Sequence, residues 1–302
     1  MFKYTLDNKR YHTLNYYNKM KYNSKVFKVS LNAGFSCPNK VNGKGCIYCY
    51  NGSGKNDGLP LHEQFNKVKN ELIKKWPNSK YIAYFQANTN TYASVKRLKE
   101  VYEPMLKEPG VIGINIATRC DCLEEDKLDY LEDLNKRTNL TVELGLQTIH
   151  ERTSLLINRG HTLESFKEAV DNLRKRNINV VVHIINGLPY ETKEMMIETA
   201  KYVSSLDIQG IKIHMLFIVK DTEIYNLYKQ NNFHILTKEE YIDIVCDQLE
   251  YLREDIVINR ITADPDKDLL IEPKWLLKKF CVLNDIDKEL ARRNTYQGAK
   301  LK

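Results

Sequence analysis

The chain has 302 residues, 42% hydrophobic and 28% charged, with 46 basic against 39 acidic side chains and a net charge of +7. That is the make-up of a globular protein with a sizeable core, long enough for one large α/β domain or two. It excludes a low-complexity chain and permits a polyanionic partner without pointing to one. No apolar run approaches a membrane span, and residues 1–22 are polar and tyrosine-rich, unlike an export signal. The seven cysteines are therefore expected reduced, in the cytoplasm and away from membranes.

Short β-branched runs alternate with longer amphipathic stretches. Val26–Leu31 reads as a strand, Pro60–Lys75 as a helix, Tyr81–Gln86 as a strand and Ser94–Lys107 as a helix interrupted by Pro104. Ile112–Ala117, Thr141–Leu146, Asn179–Ile185 and Gly210–His214 continue the strands, and Glu124–Lys136, Thr162–Arg176 and Thr192–Leu206 the helices. Six strands each followed by helical sequence imply a parallel sheet with right-handed crossovers. Six units are too few for a closed eight-stranded barrel. The fold class expected is α/β, a partial, open (βα)6 TIM-type barrel over residues 26–222, with an N-terminal extension (1–25) and an α-rich C-terminal extension (223–302) packing on it. In that extension Thr237 and Glu240 form a capping-box start for a helix to about Leu252. Val257–Ile261 is a possible further strand, Pro273–Leu283 a helix, and the basic tail from Asp285 is expected to be only partly ordered.

The chemistry is concentrated after the first strand. Between Gly34 and Gly54 stand Cys37, Cys46 and Cys49, separated by eight residues and then two. Thiolates on one loop suit an iron–sulfur cluster or zinc. Three cysteines leave one iron of a four-iron cluster open to a small molecule, the arrangement that S-adenosylmethionine (SAM) uses for radical chemistry. Tyr48 sits where such an enzyme places an aromatic beside the adenine. A zinc knuckle completed by His12 or His62 is the competing reading, although no second Cys-x-x-Cys or His-x-x-x-His exists here.

Barrel chemistry sits at the carboxyl ends of the strands, and those ends are polar. The turn from Phe85-Gln86 to Thr91 can hold the amino group of a bound methionine moiety. Arg119 can grip a carboxylate by its planar fork, or simply pair with Asp121. Cys120 and Cys122 read as small buried residues rather than a metal pair. Glu143 and Gln147 lie on an apolar strand and its exit, where buried polar groups need partners such as ribose hydroxyls or backbone amides. Arg159-Gly160-His161 is a basic turn, with His161 read as a cap or packing residue. Asn186-Gly187-Leu188-Pro189 is a turn that lets backbone approach a flat ligand such as adenine. Ile213-His214 closes the sixth strand, ahead of Lys220.

These segments also carry a family resemblance. Lys9-Arg10-Tyr11-His12-Thr13, Gly34-Phe35-Ser36-Cys37-Pro38-Asn39 and the Cys46/Cys49 pair resemble the YtqA/YhcC family of radical SAM proteins. So do Tyr84-Phe85-Gln86-Ala87, Thr118-Arg119, Glu143-Leu144-Gly145-Leu146-Gln147, Arg159-Gly160-His161, Gly187-Leu188-Pro189 and Ile218-Val219-Lys220. The likeness runs from about Lys9 to Gly298, nearest to the YtqA branch, and that family is related to the radical SAM part of the Elongator catalytic subunit. It implies the radical SAM fold and a 4Fe–4S cluster on Cys37, Cys46 and Cys49. It implies SAM held at Tyr48, Gln86, Arg119, Glu143, Gln147, Asn186, Leu188 and Ile213. The implied reaction converts 5-carboxymethylaminomethyl-uridine at the tRNA wobble position to 5-aminomethyl-uridine. Partners implied are the tRNA anticodon loop, a reductase or flavodoxin/ferredoxin electron donor, and a methyltransferase acting on the product. The substrate carboxylate needs a cation, with Lys220, Arg159 and Arg260 as candidates. A radical SAM enzyme acting on a small metabolite or peptide is the alternative, and a zinc-stabilised, non-catalytic binding protein the third reading.

Overall fold

The computed structural model describes residues 2–50, 58–231 and 233–301; the end of the cysteine loop, residues 51–54, lies outside them. In chain order the elements are α1 (Leu14–Tyr22), β1 (Val26–Leu31), a single turn α2 (Pro38–Val41), α3 (Leu61–Lys75), β2 (Lys80–Phe85), α4 (Val95–Tyr102), β3 (Val111–Thr118), α5 (Glu125–Arg137) and β4 (Asn139–Gln147). Then come α6 (Glu151–Leu156), α7 (Leu163–Lys175), β5 (Asn179–Asn186), α8 (Lys193–Ser205), β6 (Gly210–Met215), β7 (Ile218–Val219), α9 (Glu223–Asn231), α10 (Lys238–Tyr251), β8 (Val257–Arg260), β9 (Leu270–Glu272) and α11 (Lys279–Arg292).

Local chemistry explains most boundaries. Thr162, Thr192 and Thr237 accept the hydrogen bond of the backbone N–H three residues on, capping α7, α8 and α10, and Thr237 with Glu240 completes a capping box. Pro104 ends α4 at Tyr102, and the chain tightens into a 3-10 turn over Glu103–Lys107. Thr13 caps α1 in the same way, accepting from Tyr16 N–H, whereas α6 has no side-chain cap.

Seven parallel strands pair in the order β1-β2-β3-β4-β5-β6-β8, an open half-barrel with its helices outside, while β7 and β9 form a separate antiparallel pair. The seventh strand is contributed by the segment after residue 222, through Ile211↔Ile258 pairing. The outward residues of the strands, among them Leu140, Val142, Leu144, Leu146, Val180, Val182, Ile184, Ile211 and Ile213, are buried in one continuous core beneath the helices. At an effective ~25 cal/mol per Å² of apolar surface, this layer is the main source of stability.

Helix α1 and the tail meet at the amino end of the strands. Thr13 bridges to Ile258, and Ile258 N–H donates to His12 C=O at 2.8 Å. From Asp285 to Leu301 the chain is ordered, contrary to expectation: α11 runs to Arg292. The side chain of Gln297, fully buried, accepts from His12 N–H and donates to the carbonyls of Arg253 and Ile256. One amide ties both termini to the sheet. Among the described residues no helix is long and apolar enough to cross a membrane.

Candidate active site

A cavity of about 420 Å³ opens at the carboxyl end of the strands. Its wall carries Cys37, Cys46, Tyr48 and Cys49 from the loop after β1, Gln86 after β2, and Arg119 after β3. Glu143 and Gln147 of β4 and the Arg159–His161 turn complete it. Ten of the fourteen residues expected at the site from the sequence therefore share one chamber: Cys37, Cys46, Cys49, Tyr48, Gln86, Arg119, Glu143, Gln147, Arg159 and Arg260.

The loop is braced against the turn after α6. Asn39 donates to Asn158 C=O at 2.6 Å, Asn158 returns a bond to Gly45 C=O at 2.7 Å, and Ile47 N–H donates to Ile157 C=O. Gly160 has φ +79°, and a Cβ there would fall 2.7 Å from Asn39 Oδ1, so only glycine allows this turn to close on the loop. Burial raises the Cys46 thiol, opposed by Tyr48, which lies against it.

Arg119 does what its simpler reading anticipated and more. Its Nε and Nη2 fork onto Asp121 at 2.9 and 2.7 Å, while Nη1 and Nη2 donate to the carbonyls of Arg159 and Gly160. Arg159, buried, donates to the carbonyls of Leu146, Thr148 and His161. The two arginines thus serve as braces between strand ends. Cys120 and Cys122 are buried thiols, and His161 faces the cavity with its pKa lowered to about 4, first by burial and then by Arg159.

Four expected site residues lie outside the cavity wall. Asn186 points outward and is locked in a reciprocal amide pair with Gln248 of α10, both bonds 2.8 Å. Ile213, also outward, is fully buried in the core. Leu188 belongs to a second apolar cluster with Ile157, Leu216 and Ile224. The close approach that Gly187 permits is to Leu236, 3.1 Å from a notional Cβ, rather than to a ligand. Lys220 is exposed on the turn after β7, its N–H donating to Leu269 C=O.

The cavity floor holds a charged network that was only partly anticipated. Glu143, buried, accepts from Lys28 at 2.8 Å and Asn115 at 2.7 Å on one oxygen, and contacts His183 at 2.9 Å and Lys212 on the other. Lys212 also donates to the Tyr84 hydroxyl at 2.8 Å, and Lys28 to Asn259 at 3.1 Å. Burial alone would raise Glu143, but the Lys212 and Lys28 ammoniums hold it well below the usual range. Burial and Lys212 lower His183 to about 4. The signal was present in the chain: Lys28, Tyr84, Asn115, Glu143, His183 and Lys212 are polar or phenolic residues set among apolar neighbours, one on each of six strands.

An open parallel half-barrel with a three-thiol loop at the carboxyl end of its first strand is the framework of a radical enzyme that uses SAM. The chain belongs to the Radical SAM superfamily, which matches residues 32–203, followed by a Radical_SAM C-terminal domain over 208–292. It is 49% identical over 304 aligned positions to YtqA of Bacillus subtilis (strain 168), covering 98% of this chain and 94% of that protein. A tRNA uridine(34) acetyltransferase of Methanocaldococcus infernus is 24% identical over 164 positions, 53% of this chain and 30% of that protein. The structure of the archaeal Methanocaldococcus infernus Elp3 shares the fold with TM-score 0.68 at 18% identity, covering 91% of this chain and 64% of that one.

Membership implies a 4Fe–4S cluster and SAM as cofactors. The donor chemistry fits: three thiols border one chamber. Among the described residues no three His, Cys, Asp or Glu side chains converge tightly enough for a single metal ion. A cluster asks something different, one thiolate for each of several irons. His12, stacked on Tyr4 at 4.4 Å near the termini, and His62, exposed on α3, both lie off the cavity wall, so neither completes a zinc knuckle here.

Proposed function

We propose that this enzyme acts in the cytoplasm on the wobble uridine of tRNA, converting 5-carboxymethylaminomethyl-uridine, with or without a 2-thio group, to 5-aminomethyl-uridine. The observation that carries the reading is the pairing, in one cavity, of the three-thiol loop with a deep floor of fixed charges. A chamber of this kind can take a flipped-out, charged base. Support for RNA comes from the M. infernus relative, whose name gives it action on tRNA uridine 34. Cys37, Cys46 and Cys49 hold the cluster, and Tyr48, Gln86, Arg119, Glu143 and Gln147 form the walls against which SAM binds. When bound and reduced, cluster and SAM supply a 5′-deoxyadenosyl radical able to abstract hydrogen from the carboxymethyl carbon beside the amine nitrogen.

The protein's own part is placement. The wobble base lies in a single-stranded loop and enters a pocket with little unpairing cost. Braced by Arg119 and Arg159, the cavity wall keeps its shape as the base enters. A flavodoxin- or ferredoxin-type donor supplies the electron, and a methyltransferase receives the product. The test is anaerobic incubation of the reconstituted, reduced protein with SAM and bulk tRNA from a strain lacking this gene, followed by nucleoside analysis. Loss of the carboxymethylaminomethyl nucleoside with gain of the aminomethyl one is expected. Formation of 5′-deoxyadenosine with no nucleoside change would overturn the substrate.

A further inference from the structure

The interior of a parallel barrel is ordinarily packed by branched apolar side chains. Here one interior layer carries a polar or phenolic side chain on each of β2, β3, β4, β5, β6 and β8. Tyr84 pairs in register with Asn115, Gly145 beside Glu143 with His183, His183 with Lys212, and Lys212 with Arg260. Lys212 and Arg260 are thus neighbours on adjacent strands, and both line the cavity.

Two carboxylates anchor the cations in and around this layer. Glu143 is shared by Lys28 and Lys212. Asp264 is shared by Arg260 at 3.3 Å and Lys279 at 2.7 Å. Four cations thus stand on two carboxylates, with Lys212, Arg260, Glu143 and Asp264 on the chamber wall and Lys28 and Lys279 off it. Lys212 has three N–H donors, of which Glu143 and Tyr84 take two. Arg260 has five donors and one pairs with Asp264. The remaining donors of Lys212 and Arg260, side by side on the wall, are complementary to one more anion of carboxylate size. The other arginines at the chamber are committed to backbone carbonyls or to Asp121, and Lys220 lies outside the wall.

We propose that Lys212 and Arg260 form a carboxylate-binding site at the cavity floor that takes the carboxylate of the substrate's carboxymethylamino arm. The naming of that arm rests on the wobble-uridine reading; the site itself rests on the charge layout. The groups facing Lys212 are Lys28, Tyr84, Glu143, His183, His214 and Arg260. Burial, against the pull of Glu143 and with the push of Lys28 and Arg260, lowers Lys212 to about 7. A bound carboxylate favours the ammonium form, so binding takes up a proton and weakens as pH rises above neutrality.

The test uses the cluster-loaded enzyme and two anticodon stem-loop RNAs, one bearing 5-carboxymethylaminomethyl-uridine and one bearing the methylaminomethyl analogue without the carboxylate. Wild type is expected to bind the first about tenfold or more tightly, the scale of a charge-assisted hydrogen bond, with the preference shrinking between pH 7 and pH 9. Lys212→Met and Arg260→Met should each lose most of that preference, with affinity for the analogue and for SAM within about twofold of wild type. Arg260→Met, at a half-exposed position, decides the matter if Lys212→Met does not fold. Equal binding of the two RNAs by wild type overturns the site, as does a preference that survives in both folded variants. Loss of SAM affinity with the preference retained assigns the cations to the cofactor's carboxylate and overturns the proposal. A preference lost in the variants while wild type converts no nucleoside overturns the reaction and leaves the site standing.

Discussion

The two faces of the same seven-stranded sheet do different work. On the outward face of β4, Leu140, Val142, Leu144 and Leu146 are fully buried beneath helices. On the inward face of the same strand, Glu143 anchors two lysines and a histidine. Strand β6 repeats the contrast with Ile211 and Ile213 outward and Lys212 inward. A side chain's direction changes at every residue along a strand, so stability and chemistry are interleaved in sequence yet separated in space. Polar residues near the strand ends fall under the same rule. Glu143 faces the chamber, while Asn186 faces α10 and serves packing.

The contrast can be broken most sharply at Glu143. Its replacement, Glu143→Ala, leaves Lys28, Lys212 and His183 without their shared carboxylate. The loss of stability is expected at about 3–5 kcal/mol in urea unfolding, with SAM affinity falling as well. A drop below 1 kcal/mol would show that the network is solvated rather than buried.

Acid should attack the inward face next. His183 is lowered to about 4 and His214 lies well below 6.5, both first by burial. A folded-state pKa below the unfolded value means that the neutral form is the one the fold accommodates. The stability these two histidines contribute is therefore fully present above pH 6.5 and lost as pH falls towards 4, where the unfolded chain takes protons that the folded one refuses. For His183 the loss is on the order of 2–3 kcal/mol, read from urea midpoints across that window. A flat profile would mean that His183 is charged in the fold.

On the outward face, Asn186→Ala orphans Gln248 and should cost about 1–3 kcal/mol while leaving SAM binding unchanged in equilibrium dialysis. A weakened SAM complex at unchanged stability would return Asn186 to the cofactor. Lys220→Ala, at an exposed turn outside the wall, should change stability by less than about 0.5 kcal/mol and tRNA turnover by less than about twofold. A large loss of turnover would make Lys220 a substrate contact.

Much of the site was legible because its signals are local. Cys37, Cys46 and Cys49 lie on one loop, and a loop after the first strand of a parallel barrel must reach the carboxyl end. Glu143 and Gln147 stood out as polar residues on an apolar strand. Lys28, Asn115, His183 and Lys212 carried the same signal, yet one polar residue per strand takes on meaning only when the strands are laid side by side. Lys212 meets Glu143 across 69 residues of chain, and Lys28 meets it across 115.

What the chain alone decides is whatever depends on neighbours a few residues away: the alternation of strand and helix, the threonine caps, the break at Pro104, the capping box at Thr237, and the loop of thiols. The fold decides which face of a strand looks into the chamber, since that depends on how the sheet curls and on the register of strands far apart in sequence. It decides that Ile213 and Asn186 look out, that Lys220 stays off the wall, and that Gln297 ties the tail to the N-terminal segment instead of leaving it loose. Caps and periodicity are short-range hydrogen bonding and packing; sidedness and charge pairing follow only once long-range closure has brought the strands together.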